Sequence, residues 1–195
     1  MAKIRDSGVP GQELWESFFD AGAILDALGC YALTGDVVEF GCGYGTFAIP
    51  AARRTSGTVF ALDIDPLMVA ATAARAAGAG LTNVSALQRD FVTAGSGRPA
   101  GSVRCALLLN ILHLEDPLRL LREARRVLQP GGTAGVIHWR RDVATPRGPP
   151  LDIRPDPQQC GEWALQAGFA RVRACELSAA PWHWGTPTVR RARCW

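Results

Sequence analysis

A glycine-rich turn between a short apolar strand and a helical segment is the first place in this chain where chemistry is expected. Three glycines, Gly41, Gly43 and Gly45, follow an apolar stretch at residues 37–40 that contains the acidic Glu39. Glycine permits positive φ and has no Cβ, so a ligand can lie directly on this backbone near the start of the next helix. A carboxylate at position 39 would repel a pyrophosphate and attract a cationic group.

A second acidic residue ends the next predicted strand. The apolar stretch 58–62 leads to Asp63, and a carboxylate about twenty residues after such a turn can accept hydrogen bonds from a ribose. The glycine spacing is G-x-G-x-G, which differs from the G-x-G-x-x-G of dinucleotide sites. The turn alone could be structural and Asp63 could simply end its strand. Their joint occurrence favours a ligand that carries a cationic group and a ribose.

These segments resemble those of the class I S-adenosylmethionine-dependent methyltransferases. The matching stretches occur in the family's order over about residues 37–140: Glu39-Phe40-Gly41-Cys42-Gly43-Tyr44-Gly45, Ala61-Leu62-Asp63-Ile64-Asp65-Pro66, Gln88-Arg89-Asp90-Phe91, Asn110-Ile111-Leu112-His113 and Leu128-Gln129-Pro130-Gly131-Gly132. Together these stretches indicate the cofactor, and they are nearly silent about the methyl acceptor.

The resemblance implies a role for each residue at the methionine and ribose ends of the cofactor. Glu39 would face the cationic amine, and Asp63 would accept hydrogen bonds from both ribose hydroxyls. The methionine end would lie on the backbone of the glycine-rich turn, which comprises Gly41, Cys42, Gly43, Tyr44 and Gly45. The product would be S-adenosylhomocysteine.

The resemblance also implies the contacts of the adenine and the sulfonium. Ile64 would pack on the adenine, Asp90 would meet its amino group, and Phe91 would lie beside it. The backbone from Asn110 to Leu112 would pass near the sulfonium. Two of the acids have simpler interpretations, because Asp90 could be a turn residue and Asp65 could cap the helix that begins at Pro66.

The chain needs no catalytic signature for this reaction. A methyl group on a sulfonium is already activated, so transfer is mainly a matter of positioning. A general base is needed only for an acceptor proton that cannot leave unaided. His113 and His138, at the ends of the predicted fourth and fifth strands, are the candidates, although either could be structural. No Pro-Pro-aromatic segment follows Asn110, no acid cluster of the metal-dependent catechol type is evident, and no metal site is predicted.

Aromatic residues could line an apolar acceptor pocket. The candidate substrate-binding residues come from the N-terminal helix, the ends of two strands and the C-terminal segment, and they are Trp15, Phe19, His113, Trp139, Trp182 and Trp184. The helical pattern over residues 12–28 has two interpretations, either a helix packed on the sheet or a lid over the cofactor. Gly22 could kink this helix or split it in two.

A small-molecule acceptor with an O, N or S nucleophile is the leading hypothesis. A methyltransferase for RNA or protein is the alternative, supported by the arginines at positions 119, 122, 125 and 126 and by residues 190–193. Those four arginines are more simply interpreted as a solvated helix face. A cofactor-binding subunit without turnover is a third hypothesis. A nicotinamide dehydrogenase is disfavoured by Glu39 and by the glycine spacing.

The composition is that of a globular protein. The 195 residues are 48% hydrophobic and carry a net charge of +3, which suggests one domain and neither requires nor excludes a nucleic-acid partner.

The first six residues begin no apolar signal segment, and no run approaches about twenty apolar residues, so we expect a cytoplasmic location without a membrane partner. The six cysteines form no C-x-x-C pair, which favours reduced, mostly buried thiols. The oligomeric state is not predicted.

Predicted strands at 37–40, 58–63, 84–88, 103–109 and 133–139 alternate with helices. This alternation predicts an α/β fold with a parallel sheet and right-handed crossovers. The resemblance adds a single-domain Rossmann-like doubly wound sheet of seven strands with an antiparallel last strand. We divide the chain into an N-terminal arm and lid helix (1–36), a cofactor-binding core (37–140), and a loop, helix and C-terminal β-hairpin (141–195). The hairpin strands are predicted at 169–177 and 188–194, joined by an aromatic loop that contains His183.

Overall fold

One seven-stranded sheet runs through the protein. A computed structural model describes residues 11–145, 148–173, 175, 177 and 183–189. The strands are β1 (Val37–Phe40), β2 (Val59–Asp63), β3 (Val84–Gln88), β4 (Val103–Leu109), β5 (Leu128–Trp139), β6 (Arg171–Val172) and β7 (His183–Val189). Their order is β3-β2-β1-β4-β5-β7-β6, and β7 runs antiparallel to both β5 and β6. The predicted Rossmann-like sheet with an antiparallel last strand is therefore confirmed.

Helices cover both faces of the sheet. They are α1 (Gln12–Glu16), α2 (Ala21–Ala27), α3 (Ala48–Ala52), α4 (Pro66–Gly78), α5 (Phe91–Ala94), α6 (Pro117–Val127) and α7 (Pro157–Gln166), with a 3₁₀ turn at Leu151–Ile153. Leu108 of β4 packs in a cluster with α6 and α7, whereas the next residue towards the N-terminus, Leu107, packs with α2 and α3. Successive residues of a strand point to opposite faces, so this central strand is buried on both sides, as its apolar sequence predicts.

Five helices begin at an aspartate whose carboxylate accepts a backbone N–H of the first turn. The caps of α2, α4, α5, α6 and α7 are Asp20, Asp65, Asp90, Asp116 and Asp156. Such a cap contributes about 1 kcal/mol to helix stability. Three of these helices, α4, α6 and α7, also begin with the proline that suits a first helical turn. The interpretation of Asp65 as a cap is confirmed.

The N-terminal helical segment is split in two. Helix α1 ends at Glu16, and α2 begins at Ala21 after its cap, Asp20. The break therefore comes one turn before Gly22, because the Asp20 carboxylate accepts the Ala23 N–H at 3.0 Å and starts a new helix. The two short helices can then take different directions over the sheet.

The C-terminal half differs from the prediction in where its strands begin and end. Strand β5 starts at Leu128, directly after α6, and its pairing with β4 shifts register before it resumes at Thr133. Among the described residues of the predicted strand 169–177, residues 171–172 form a strand, and Cys175 makes one further bridge to Gly185. The second hairpin strand is His183–Val189, so the aromatic segment predicted as a loop lies partly inside β7. Residues 190–194 lie outside the described part of the chain.

The topology creates one switch point. Strand β1 pairs with β2 on one side and with β4 on the other, and both pairings are parallel. In such sheets a crevice opens at the carboxyl ends of the strands where the order reverses. The glycine-rich turn after β1 and Asn110 after β4 both stand at this crevice.

Candidate functional site

The glycine-rich turn after β1 is shaped by close contacts and by one open side. At Gly41 (φ +79°) a Cβ would lie 2.6 Å from Ile111 Cδ1, so a larger residue would collide with the loop after β4. At Gly43 (φ +52°) the space where a Cβ would stand has no atom within 4 Å. The side chain of Cys42 is directed elsewhere, because its Sγ accepts the Thr72 hydroxyl of α4 at 3.5 Å. The turn therefore presents bare backbone on one side.

Asp63 connects the end of β2 to that turn. Its Oδ2 accepts the Gly43 N–H at 2.9 Å, and its Oδ1 accepts the Asp65 N–H at 3.0 Å. Each carboxylate oxygen can accept a further hydrogen bond, so both remain available to a pair of hydroxyls. Burial raises the pKa of Asp63 even though these N–H groups oppose the rise. Ile64, the predicted adenine contact, follows at a half-buried position.

Glu39 stands beneath the turn in the third position of β1. Its side chain is 1% exposed and its Oε2 has no hydrogen-bond partner. Burial, and secondarily the charge of Asp63, raises the pKa of Glu39 well above the usual value. A buried carboxyl without a partner is costly, and a cationic ligand group would ionise it and satisfy it.

Asn110 supplies a second set of polar atoms without partners. It has a positive φ of 57°, and both atoms of its side-chain amide are buried without a hydrogen bond. Its backbone N–H donates to Ile137 O at 2.9 Å, which holds the residue at the joint between β4 and β5. A strained residue with an unsatisfied amide at a strand end is typical of a ligand site. The sequence analysis assigned only the backbone here and missed the side chain.

These features fit S-adenosylmethionine. Glu39 suits the amine, Asp63 suits the ribose diol, and the open side of Gly43 gives the methionine end a place on the backbone. Asn110 offers polar atoms where the sulfonium end would come. Leu112 is 1% exposed and lies in the core below the loop.

The predicted adenine contacts have other partners in the structure. The Asp90 carboxylate caps α5, accepting the N–H groups of Val92 and Thr93 and the Thr93 hydroxyl at 2.7 Å. The hydroxyl bond is the largest cause of a lowered pKa at Asp90. Phe91 is 2% exposed and packs edge-to-face on Phe40 at 5.4 Å between ring centroids. The role of both residues at the adenine stays a prediction.

An aromatic cluster forms beside this region, and we define it as Trp15, Phe18, Phe19, Phe47, Trp139 and His183. Phe19 lies at its centre, with ring centroids 5.0 Å from Trp15, 5.3 Å from Phe47 and 4.7 Å from His183. Trp139 lies 6.3 Å from Trp15 and 5.5 Å from Phe18. The structure thus brings three of the predicted substrate-binding residues, Trp15, Phe19 and Trp139, into one cluster.

Three members of the cluster were missed from the sequence. Phe18 and Phe47 belong to apolar helical patterns, which do not distinguish core from pocket, and His183 was placed in a loop. Trp182 lies outside the described residues. Trp184 pairs with His138 across the β5–β7 ladder.

Helix α1 is tied to the glycine-rich turn through α4. The Arg75 guanidinium forms an ion pair with Glu16 of α1, and its Nη1 also donates to Tyr44 O at 3.3 Å. Glu16 and Tyr44 are thereby linked through one side chain. This geometry is compatible with a lid, whose function stays a prediction.

The two predicted base candidates are in contact. His113 Nδ1 lies 3.2 Å from His138 Nε2, and His138 Nδ1 lies 3.3 Å from the Trp139 carbonyl oxygen. Since a carbonyl only accepts, Nδ1 of His138 carries the proton and its Nε2 accepts from Nδ1 of His113. The lone pair of His113 is then on Nε2. Burial, followed by His113, lowers the pKa of His138 to about 3, which keeps that ring neutral.

Two classes of site find no support in the part of the chain that the structure describes. No group of three potential metal ligands occurs there. None of the helices in these residues has the length and apolar character to cross a membrane. Four described cysteines are buried and a fifth is partly buried; all five are free thiols.

The arginines of α6 lie on its flank. Arg119, Arg122 and Arg126 are exposed and line an open groove of about 490 Å³ together with Phe91 and Glu123. Glu123 pairs with Arg126 at 2.6 Å. The interpretation as a solvated face is confirmed for these three arginines, whereas Arg125 is half-buried and donates to Gly168 O at 2.6 Å.

Comparison with known proteins gives consistent matches. Residues 37–132 match the family described as methyltransferase domain. Nocamycin O-methyltransferase of Saccharothrix syringae is 38% identical over 150 residues, which are 75% of this chain and 46% of that protein. Ribosomal protein L11 methyltransferase of Dechloromonas aromatica (strain RCB) is 37% identical over 110 residues, 54% of this chain and 34% of that protein. The chain thus spans less than half the length of either relative.

The fold has a counterpart among solved structures. A SAM-dependent methyltransferase from Aquifex aeolicus superposes with a TM-score of 0.77 at 24% identity, covering 93% of this chain and 94% of its own. Because the identity is low, this likeness concerns the fold. Sequence match, fold and cofactor-fitting residues agree, and the chain belongs, through the domain that contains residues 37–132, to the class I S-adenosylmethionine-dependent methyltransferases.

Proposed function

We propose that this protein transfers a methyl group from S-adenosylmethionine to a nucleophilic atom of a small molecule. The contact between His113 and His138 carries the proposal. His113 follows Asn110 by three residues, and His138 directly precedes Trp139. His138 and Trp139 are successive residues of β5, so the histidine pair and the aromatic cluster lie on opposite faces of the sheet at its carboxyl end. In this proposal the acceptor reaches His113 past the end of β5.

In this proposal His113 takes the acceptor proton. When bound, the cofactor supplies a methyl group on a sulfonium, which becomes a neutral thioether as the methyl bonds to the acceptor. The acceptor's proton moves to Nε2 of His113, the nitrogen that keeps a lone pair. His138 orients that ring through the Nδ1···Nε2 contact and stays neutral itself, because its own pKa is about 3. A base held in this way contributes typically 10²–10⁴-fold to a rate.

The surrounding residues would position the acceptor and keep water away. Trp15, Phe19 and Trp139 offer apolar ring surface at the carboxyl edge of the sheet. Trp139 is buried and the other two rings are half-buried, which lowers the local dielectric and strengthens the interactions of charged groups.

A macromolecular acceptor is the alternative proposal. The two relatives do not decide between the two kinds of acceptor, since one is named for nocamycin and the other for a ribosomal protein. The position of the arginines favours a small acceptor. Arg119, Arg122 and Arg126 line the flank groove of α6, and Arg125 donates to Gly168 O at 2.6 Å, whereas the aromatic cluster lies at the strand ends.

A tritiated-methyl assay on fractionated cell extract tests the proposal. We expect label in the small-molecule fraction, weaker labelling with Asp63→Ala because the cofactor binds less tightly, and a fall of about 10²-fold or more with His113→Ala. Transfer should depend weakly on ionic strength between about 50 and 200 mM, because no set of phosphate contacts is involved.

Other outcomes of the same assay favour the other hypotheses. Label in RNA or protein that moderate salt suppresses would replace the small-molecule acceptor with a macromolecular one. Slow cofactor hydrolysis without a labelled product in any fraction would favour a cofactor-binding subunit.

A further inference from the structure

His183 is a buried imidazole without a hydrogen-bond partner. It is the first residue of β7 and 4% exposed, and neither Nδ1 nor Nε2 has a hydrogen-bond partner among the residues that the structure describes. Buried polar side chains are nearly always hydrogen-bonded, because two nitrogens left without partners destabilise the folded protein. A histidine that served packing alone could be replaced by an aromatic residue without this cost. The two nitrogens therefore point to a bound group that satisfies them.

The aromatic rings around His183 indicate the shape and polarity of the bound group. Its imidazole centroid lies 4.0 Å from the Trp139 ring at an interplanar angle of 43°, and 4.7 Å from the Phe19 ring at 51°. Both neighbours present ring faces or edges, and neither supplies a hydrogen-bonding atom at these contacts. A ligand that approaches the imidazole must pass aromatic surface, which favours a planar, largely apolar molecule.

The positive charge near His183 indicates which polar group the bound molecule carries. Arg154 is 4% exposed, its guanidinium donates to Pro149 O at 2.8 Å and to Arg140 O at 2.7 Å, and its Cζ lies 5.9 Å from the Trp139 ring centroid. This buried cation is the charge that acts on His183. Burial and Arg154 lower the pKa of His183 to about 3, so the imidazole is neutral and can donate from one nitrogen and accept at the other.

We propose that His183 recognises the methyl acceptor, and that the acceptor is a planar oxygen acid such as a phenol, an enol or an aromatic carboxylic acid. This inference rests on the proposed function. An imidazole N–H donates to the acceptor oxygen or to a neighbouring oxygen of the same molecule. The buried Arg154 favours a molecule that becomes anionic as its proton leaves, and it disfavours an ammonium group. The site is therefore selective for oxygen acceptors over protonated amines.

A pair of aromatic probes with opposite charge tests this selectivity. The full chain, saturated with S-adenosylhomocysteine, is titrated with 4-nitrophenol and with 4-nitrobenzylamine. We expect 4-nitrophenol to bind with a visible shift of its absorbance towards the phenolate, and the amine to bind about tenfold or more weakly. His183→Phe keeps an aromatic ring and removes both nitrogens, and it should weaken 4-nitrophenol by about tenfold or more.

Thr186→Val is the matched control. Thr186 is also in β7, is 2% exposed and has a buried hydroxyl without a partner. It is three residues from His183, so its side chain points to the opposite face of the sheet. Its replacement should leave 4-nitrophenol affinity within about twofold of the wild type.

Conservative replacements separate recognition from packing. The amide of His183→Asn can stand in for Nδ1 and that of His183→Gln for Nε2, and at least one of them should recover part of the affinity that His183→Phe loses. If His183→Phe does not fold, the 4-nitrophenol affinities of His183→Asn and His183→Gln test the inference in its place.

The control measurement is calorimetry of S-adenosylhomocysteine on each variant. Equal affinity of the wild type for the two probes, no binding of 4-nitrophenol, or unchanged 4-nitrophenol binding in folded His183→Phe would each overturn the inference. If the wild type does not bind S-adenosylhomocysteine, the proposed function itself fails. Cofactor binding without the probe discrimination contradicts the role of His183 alone.

Discussion

The two halves of the candidate site are built from opposite chemistry. The cofactor half, which we define as Glu39, Asp63, Asn110 and the glycine-rich turn, presents carboxyl groups and bare backbone. The proposed acceptor half, comprising His113, His138, His183, Trp139 and Arg154, presents buried imidazoles, a tryptophan and a buried guanidinium.

This difference suits a reaction between a cation and a nucleophile that loses a proton. Buried Glu39 and Asp63 favour a positively charged ligand, whereas Arg154 favours an acceptor that becomes negative. His113, the proposed base, contacts His138 at 3.2 Å. Each half can therefore be disrupted by itself.

The largest effect should come from closing the open side of the cofactor half. Gly43→Val puts a branched side chain where the turn faces open space, and at φ +52° it also strains the backbone. We expect cofactor affinity to fall by about 100-fold or more, roughly 2.8 kcal/mol, in calorimetry with S-adenosylhomocysteine. Gly78→Ala, at a helix end with nothing within 4 Å, is the control and should bind normally. Normal binding by Gly43→Val would place the ligand elsewhere.

The next prediction compares Asp63 and Asp90, both of which were predicted to bind the cofactor. Asp63→Ala should weaken S-adenosylmethionine by about 1.5–3 kcal/mol, because a charged acceptor is lost. Asp63 also holds the Gly43 N–H, so the turn should loosen as well. Asp90→Ala should cost about 1 kcal/mol of unfolding free energy through the lost cap of α5, with a smaller loss of affinity. Equal losses of affinity would mean that Asp90 contacts the cofactor as closely as Asp63 does.

Glu39→Gln should improve stability and impair binding at the same time. The folded-state pKa of Glu39 is raised, so its stabilising contribution is complete below pH 4.5 and is lost as the pH rises through that raised pKa. Glutamine carries no proton to lose, and the ligand-free variant should unfold at higher denaturant concentration than the wild type at pH 8. Its cofactor affinity should fall by about tenfold or more, since the amine loses its anion. A variant that is no more stable than the wild type at pH 8 would contradict the buried, protonated carboxyl.

The acceptor half should respond to pH in the opposite sense. The pKa of His183 falls from an ordinary 6.5 to about 3 on folding, so its contribution is present above pH 6.5 and is lost as the pH falls towards 3. The lowered pKa of His138 adds a further loss of stability as the pH falls. When the pH is lowered from 7 to 5, the free energy of unfolding should fall by roughly 2 kcal/mol less in His183→Phe than in the wild type. Parallel pH profiles in chemical denaturation would show that His183 is not buried in the neutral form.

The smallest expected effect concerns the lid that joins the two halves. Residues 12–19 should gain protection from hydrogen exchange when the cofactor binds, because Arg75 links Glu16 to the glycine-rich turn. Glu16→Gln should reduce that gain without changing exchange in α6. Equal exchange with and without ligand would leave Trp15 and Phe19 as packing residues.

The cofactor half was largely predictable because its parts are consecutive in sequence. A strand, a glycine turn and an acid at the next strand end form local patterns, and parallel strands bring their carboxyl ends to one edge of a sheet whatever follows. Glu39, Gly43 and Asp63 accordingly lie where the sequence places them. The alternation of strands and helices also predicted that the first five strands form a parallel sheet, as they do.

The acceptor half depended on contacts that only the folded chain makes. Phe19, Trp139 and His183 are far apart in sequence, and they meet because α1 lies over the sheet and β7 inserts antiparallel beside β5. No local pattern distinguishes a histidine at a strand end from one in a loop. Nor does one reveal that Asn110 combines a positive φ with a buried amide that has no hydrogen bond. Local spacing and propensity determined most of the elements, and the resemblance of the local motifs to a known family indicated the cofactor. Burial and long-range pairing, which are properties of the packed chain, decided which histidines lie together and which side chains remain for the acceptor.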